Sequence, residues 1–381
     1  MCEAMFVERE LDWELLEKLC SIHAMSGHED AMVTFLYDRI APIVDSISVD
    51  NLGNVVGVLR GSKYPASRLM LQAHMDELGL VVRNVTADGF LLVERVGGVP
   101  EKTLLGQRVD VVTEDGGIVT GYVGPKSHHV TKPEEKYKVP NIHDMFIDIG
   151  LSSSEAVEEA GIKVGDPVMY HPNFCRFGDG MISSKALDNR VGVFVLLELL
   201  RALACNRPPS TLVFSFTVLE EFSIRGSLPA IAAVEPDAII SVDVTIATDT
   251  PVEEPLHPVA LGHGPAIKMM DFHGRGTLAG LFPSPKLRRF IESAAKEQGI
   301  PLQREVIVGV ITDPAFQLYV GKKGQVIAGI SIPQRYSHSP IQTCHESDIV
   351  WAIDLVETAA RAFTPEVDLS RGTITARKGR Q

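Results

Sequence analysis

The sequence has few cysteines and no pattern that would use them in pairs. Its five cysteines are odd in number, widely scattered and include no CxxC pair. This spacing argues against a disulfide framework and a thiolate zinc site, and it suits a reducing compartment. The N-terminus has no basic and apolar leader pattern, and no apolar run approaches the roughly 18 residues needed to span a bilayer. We therefore expect a cytoplasmic protein without a membrane partner.

Excess positive charge is also missing. The chain carries 36 Lys and Arg against 49 Asp and Glu, which gives a formal net charge of −13. Nucleic-acid-binding proteins present basic surfaces, so this balance argues against a nucleic-acid partner. With 381 residues and 45% hydrophobic content, the chain is long enough for one large domain or two ordinary ones.

Four short apolar runs are each followed by residues that can bind metals or move protons. Runs of this length predict strands buried on both faces of a sheet. They span residues 69–73, 215–219, 238–242 and 325–332, and the polar residues after them are His74, Asp76, Glu220, Glu221, Asp243 and His338. Ligands of open α/β sheets bind outside the carboxyl ends of the strands. The pattern therefore predicts one polar site assembled from distant parts of the chain.

The spacing of turns divides the chain into two kinds of structure. Residues 78–167 show short alternating strands with Gly-rich turns, a pattern typical of a small β-barrel or sandwich. Elsewhere strands and helices alternate, as in a parallel sheet covered on both faces. We predict an α/β fold with a mostly parallel mixed sheet between helices. Residues 1–77 and 168–381 would form this main domain, with residues 78–167 inserted as a β-barrel-like domain.

Five residues supply nitrogen and oxygen donors without sulfur. They are His74, Asp188, Glu221, Asp243 and His338. Such sets suit zinc, cobalt or manganese in catalytic sites, and five ligands exceed what one ion with an open position uses. Two ions that share a carboxylate are therefore predicted, with a remaining carboxylate as general base. Spacing alone does not decide whether Glu220 or Glu221 is the base.

Five motifs in this order resemble a known family. They are HMDELG at 74–79, ALDNR at 186–190, EEFSIRG at 220–226, residues 242–245 with 249–251, and IPQRYSHSP at 332–340. Together they resemble the M42 family of dinuclear metallo-aminopeptidases, the tetrahedral, glutamyl and deblocking aminopeptidase group of the zinc-exopeptidase clan. The resemblance covers nearly the whole chain. It implies a hydrolase that releases N-terminal residues from peptides by metal-activated water.

The resemblance also implies a role for each site residue. It assigns His74 and Asp243 to one metal, Glu221 and His338 to the other, and Asp188 to both. Two divalent ions per subunit are expected, with zinc preferred and cobalt or manganese as alternatives.

Two carboxylates beside the metals receive roles from the same resemblance. Glu220 would be the general base and Asp76 the partner that orients His74. The chain departs from the family pattern at Leu219, where a polar residue is usual, and at Phe222-Ser223, where Val-Gly is common. Every ligand position is nevertheless filled, so the departures bear on specificity more than on activity.

The inserted block carries a prediction about assembly. In the M42 family the equivalent block mediates dimer formation, and dimers combine into a hollow tetrahedral dodecamer with inward-facing active sites. We therefore expect a homo-oligomer, with the apolar segments 79–82 and 90–93 at the interface. The alternative is a monomer in which the block only walls the cleft.

Competing interpretations remain at this level. A hydrolase of related fold could cut another amide, such as an acylated amino acid, with the same metals. A glycoside hydrolase could use Glu220 and Asp76, but the histidines would then be unexplained. An inactive scaffold is disfavoured because no ligand or base is missing. Asp188 could merely cap its helix, Asp76 could be a salt-bridge partner, and His128-His129 is expected to be a surface pair.

Overall fold

The computed structural model describes residues 9–63, 66–251, 258–274 and 278–371. The helices of this part of the chain are α1 (Trp13–Ser21), α2 (Asp30–Ile40), α3 (Ser154–Glu159), α4 (Leu187–Cys205), α5 (Glu220–Ser223), α6 (Leu228–Val234), α7 (Pro285–Gln298), α8 (Pro314–Gln317) and α9 (Glu346–Ala362). The strands are β1 (Ser46–Val49), β2 (Val55–Leu59), β3 (Arg68–His74), β4 (Gly79–Val85), β5 (Leu91–Val96), β6 (Arg108–Val112), β7 (Ile118–Val123), β8 (Ile147–Asp148), β9 (Pro167–Tyr170), β10 (Cys175–Phe177), β11 (Met181–Ser184), β12 (Thr211–Thr217), β13 (Ala238–Ile246), β14 (Ala266–Phe272), β15 (Gly280–Leu281), β16 (Gln303–Val308), β17 (Ile327–Gln334) and β18 (Gln342–His345).

A nine-stranded mixed sheet forms the centre of the fold. Its middle strands run in the order β12-β3-β13-β17, and every pair among them is parallel. Antiparallel pairs flank this centre, β2 beside β12 on one side and β14 beside β17 on the other. The α/β fold and the mixed sheet are as predicted. The four apolar runs named above contribute the four parallel strands.

Both faces of the sheet are covered, because successive side chains of a strand point to opposite faces. Leu69 and Leu71 of β3 join a large core with α1, α4, α7 and α9. Met70 between them joins a smaller core with Ile231 of α6. This burial on both faces explains why the central strands read as nearly continuous apolar runs.

Six strands form a closed barrel in the order β4-β5-β8-β7-β6-β9. The barrel has an apolar core of its own. Leu80, Val82, Leu91 and Val93 lie in that core and are at most 3% exposed. These alternate residues of the segments predicted to form an interface fill the barrel and are therefore not available to a partner, whereas Val81, Phe90 and Leu92 between and beside them are half-buried.

No helix among the described residues combines the length and the apolar character that crossing a membrane requires.

Candidate metal centre

The predicted site residues meet at the carboxyl edge of the parallel strands. His74 ends β3, Glu220 follows β12 within three residues, and His338 follows β17 within four. Asp243 differs from the prediction because it lies inside β13, which continues to Ile246. With Asp188 and Glu221, these residues line one cavity of about 480 Å³.

The donor atoms fall into two groups. One comprises His74, Asp188 and Asp243, and the other comprises Asp188, Glu221 and His338; within each group the atoms lie within 4.8 Å of one another. His74 Nε2 is 3.2 Å from Asp188 Oδ1 and 3.8 Å from Asp243 Oδ1. His338 Nε2 is 3.6 Å from Asp188 Oδ2 and 3.7 Å from Glu221 Oε2. The two oxygens of Asp188 therefore face different groups.

The other nitrogen of each imidazole faces an oxygen atom. His338 Nδ1 lies 3.0 Å from the carbonyl oxygen of Gly98. Because a carbonyl oxygen only accepts hydrogen bonds, Nδ1 carries the proton and the lone pair of Nε2 points to the site as a metal ligand would. His74 Nδ1 lies 3.4 Å from Asp76 Oδ1. A side chain at position 98 would place its Cβ 2.8 Å from the His338 ring, so this contact requires glycine.

The electrostatics of the cluster favour a bound cation. Burial raises the pKa of Glu221 and of Asp243 to about 7, and the nearby Asp188 carboxylate adds to the rise. Burial disfavours the charged form of His74. The carboxylates of Glu220 and Asp188 outweigh this effect, so the pKa of His74 is raised. Glu221 Oε1 is buried without a hydrogen-bond partner among the described residues. A divalent ion would stabilise these ionised carboxylates and use that oxygen, so the donor set fits a metal.

The local fold frees Asp188 from the capping role considered above. The start of α4 is irregular, since Asp188 and Asn189 have non-helical backbone angles. Asn189 Oδ1 accepts the amide N–H of Gly192 at 3.1 Å, which is the N-cap contact. The Asp188 amide instead donates to Gln342 Oε1 at 2.9 Å. The Asp188 carboxylate is therefore available to the site.

Adjacent glutamates occupy different places. Glu221 belongs to the second donor group, whereas Glu220 belongs to neither. Glu220 Oε2 lies 3.9 Å from His74 Nε2, at the side of the cluster, and burial raises its pKa well above the usual range. This difference in position separates two residues that the spacing of the sequence could not separate.

Strained backbone is concentrated around the site. Positive φ angles at non-glycine residues adjoin it at Ala186 (56°), Leu219 (58°), Ile224 (57°), Tyr336 (58°) and His338 (64°). Such conformations cost energy and persist only where the surrounding structure holds them, as at functional sites.

A sequence comparison decides the family. The model of the M42 glutamyl aminopeptidases matches residues 53–355. The chain belongs to the M42 family. It is a metal-dependent aminopeptidase, which confirms the activity predicted from the five motifs, and the competing amidase and glycosidase interpretations are disfavoured.

Relatives of this M42 aminopeptidase match it nearly end to end. Lysyl aminopeptidase of Pyrococcus furiosus is 32% identical over 93% of this chain and 98% of its own. The structure of an aminopeptidase from Desulfurococcus kamchatkensis is 38% identical, with a TM-score of 0.89 over 95% of this chain and 99% of that one. The TET1 peptidase of Pyrococcus horikoshii is 29% identical, with a TM-score of 0.81 over 92% of this chain and 99% of that one, and is described as assembling into a tetrahedron or a large octahedral shell.

Two predicted surface histidines of this M42 aminopeptidase lie apart from the metal centre. His128 and His129 are exposed and belong to neither donor group. Three buried polar residues that sequence reasoning missed lie around it: Glu29, Asn54 and Asp313. Asp313 accepts hydrogen bonds from the hydroxyls of Thr217 and Ser227. The motif Ser26-Gly27-His28-Glu29, which directly precedes α2, is the available sequence signal for Glu29.

Proposed function

We propose that two divalent metal ions, zinc in the first instance, bind the two donor groups and that the enzyme trims N-terminal residues from short peptides. His74 and Asp243 would hold one ion, Glu221 and His338 would hold the other, and Asp188 would serve both. The observation that carries the proposal is the placement of the two Asp188 oxygens toward different donor groups. Cobalt and manganese suit the same donors, so metal identity is settled by reconstitution.

Bound ions would polarise the scissile carbonyl and lower the pKa of water. We propose that Glu220 takes a proton from the attacking water and then gives it to the leaving amine. Burial, as the first cause, raises the pKa of Glu220, which is the direction expected for a group that accepts and returns a proton. Asp76 positions the His74 ring and takes no proton. Burial opposes ionisation of Asp76, but the contact with His74 outweighs burial, so the pKa of Asp76 is lowered.

The proposed activity predicts a pattern across substrates. After chelation and reconstitution with zinc, cobalt or manganese, we expect hydrolysis of aminoacyl anilides, with acylated amino acids and chromogenic glycosides left intact. We expect leucyl and methionyl anilides to be hydrolysed fastest, because the described cavity wall includes four apolar residues: Ile224, Ile246, Val310 and Ile311. Undiminished activity in the metal-stripped protein, or preferential cleavage of acylated or glycosidic substrates, would contradict the proposal.

We further propose that residues 78–167, together with the rest of β9 to Tyr170, act as a dimerisation domain inserted in a catalytic domain formed by residues 1–77 and the remainder of 168–381. Ile118 and Tyr122 lie on the outer face of β7 and are 59% and 56% exposed, and Tyr137 is 96% exposed. Exposed apolar residues of this kind are typical of interfaces. The tetrahedron or octahedral shell described for the Pyrococcus horikoshii relative supports a closed assembly, which we propose to be a tetrahedral dodecamer built from such dimers. A cytoplasmic location remains part of the proposal.

The assembly has a measurable size and a consequence for substrates. Light scattering coupled to gel filtration is expected to give many times the chain mass of 41.5 kDa. Ile118→Asp combined with Tyr122→Asp should shift the particle toward the monomer, because two buried charges disfavour the interface. A cage would also spare folded proteins while trimming oligopeptides. A monomeric wild-type protein at micromolar concentration would disprove the assembly, and equal rates on folded and peptide substrates would disprove the enclosure.

A further inference from the structure

The turn that carries Glu220 and Glu221 is held by side chains from distant segments. Four consecutive backbone amides take part: Val218 N donates to Asn54 Oδ1, Leu219 N to Glu29 Oε1, Glu220 N to Asp76 Oδ1 and Glu221 N to Asp76 Oδ2, each at 3.1 Å. Asp76 therefore serves two parts of the site, since it also contacts the ring of His74. In the described part of the chain, neither Asn54 nor Glu29 makes a hydrogen bond or an ion pair to His74, and Asn54 also donates to the carbonyl oxygen of Gly226 at 2.8 Å.

This turn needs outside partners for its shape. Helix α5 is only four residues long and has no side-chain cap from Leu219, the residue before it. Leu219 lies in the left-handed region at φ 58°, which is unfavourable for leucine. Amides at the start of a helix have no partner within the helix. Carboxylate oxygens from elsewhere supply those partners and fix the direction in which the turn leaves β12.

Glu29 is well placed to hold the turn. Glu29 lies at the start of α2 and is only 6% exposed. The hydroxyl of Ser26, three residues earlier, donates to Asp76 Oδ2. The amide of Ser26 donates to the carbonyl of Glu77, which follows Asp76 in the chain, at 3.1 Å. Residues 26–29 thus brace Asp76 and Leu219 together, which is a more specific task than capping a helix.

We propose that Glu29 is a positioning residue, which binds the Leu219 amide and so fixes the orientation of Glu220 and Glu221. The inference rests on the proposed roles of those two glutamates as base and metal ligand. Burial, with the neighbouring Asp76 carboxylate next in effect, raises the pKa of Glu29 to about 7. Both protonation states keep an oxygen that accepts the amide, so glutamine is a close substitute at this position.

The test compares Glu29→Ala with Glu29→Gln. Alanine removes the acceptor, and we expect kcat to fall roughly 10- to 100-fold with KM little changed, because small displacements of catalytic groups cost rate. Glutamine keeps an acceptor and should restore most of that loss. In the metal-free protein, hydrogen exchange of the peptide that covers residues 218–222 should be faster in Glu29→Ala than in wild type or Glu29→Gln.

Asp237→Ala provides a matched control, because it removes a carboxylate that accepts the Arg68 amide at 2.8 Å at the amino end of β3, away from the cavity and from the barrel. It should leave kcat and exchange at 218–222 unchanged. The inference would be overturned if Glu29→Ala folds and has the kcat and the exchange rate of wild type. It would also be overturned if Glu29→Gln is as impaired as Glu29→Ala. If Glu29→Ala does not fold, exchange is measured in Glu29→Asp instead, because aspartate keeps the charge but its shorter side chain moves the accepting oxygen away from the Leu219 amide. Wild-type exchange in that variant would also overturn it. The exchange readout is independent of aminopeptidase activity, so failure of the proposed function would be recognised separately.

Discussion

Replacing Glu220 with glutamine is expected to lower kcat by roughly 10²–10⁴-fold, the usual contribution of a general base. Glutamine has nearly the same shape but cannot accept the proton of water. Because Glu220 lies outside both donor groups, the variant should bind as much metal as wild type. Its amide N–H still donates to Asp76 Oδ1, so the turn should keep its shape. Steady-state kinetics and elemental analysis of the same preparation measure the two effects together.

Glu221→Gln is the matched control for that experiment. It changes the neighbouring residue by the same atoms, but Glu221 Oε2 faces His338 Nε2 at 3.7 Å in the second donor group. This variant should lose metal as well as rate, and added zinc should restore part of its activity. The assignment of the base would be refuted by near wild-type turnover in a fully metallated Glu220→Gln. Metal loss in Glu220→Gln that matches the loss in Glu221→Gln would refute it equally.

The placement of the site followed from strand patterning. Apolar runs that end at His74 and shortly before Glu220 are long enough to be strands and too continuous to be half exposed. Parallel strands bring their carboxyl ends to one edge, so the meeting of residues distant in sequence was predictable. The position of Asp243 within its strand was less predictable, because nothing in the adjacent sequence marks where β13 stops pairing with β17.

Contacts from side chains to distant backbone were not predictable in this way. Ser26 and Glu29 precede a helix, and local patterns favour capping because they contain no information on tertiary partners. In the fold Glu29 binds the Leu219 amide, 190 residues away in the chain. The start of α4 shows the same limit, since the cap is Asn189 and the neighbouring Asp188 faces the cavity.

The inserted barrel shows a limit of a different kind. Apolar content at 79–82 and 90–93 indicated strands, but it did not distinguish a barrel core from an interface. The pleat does so: Leu80 and Val82 point inward, whereas on β7 the outward positions are Ile118 and Tyr122. An interface is therefore better sought at outward apolar positions than at the most apolar segments.

Replacing Asp188 with asparagine is expected to remove both metal ions and to lower kcat on the order of 10³-fold or more. Each ion contributes several kcal/mol of transition-state stabilisation, and each tenfold change in rate corresponds to about 1.4 kcal/mol. Asparagine keeps the size of the side chain but loses the charge that both donor groups share. The amide of residue 188 would still reach Gln342 Oε1, so the irregular start of α4 should persist. Elemental analysis after dialysis gives the metal content directly.

His338→Ala separates a bridge from an ordinary ligand. His338 belongs only to the second donor group, so its loss should weaken the binding of one ion and spare the ion proposed at His74 and Asp243. A bridging Asp188 predicts that Asp188→Asn loses more metal than His338→Ala at every free zinc concentration in a competition titration. Equal loss of a single ion in the two variants would show that Asp188 serves one metal only. Circular dichroism and gel filtration test whether both variants fold, and we expect that they do, because neither residue belongs to the apolar cores on the two faces of the sheet.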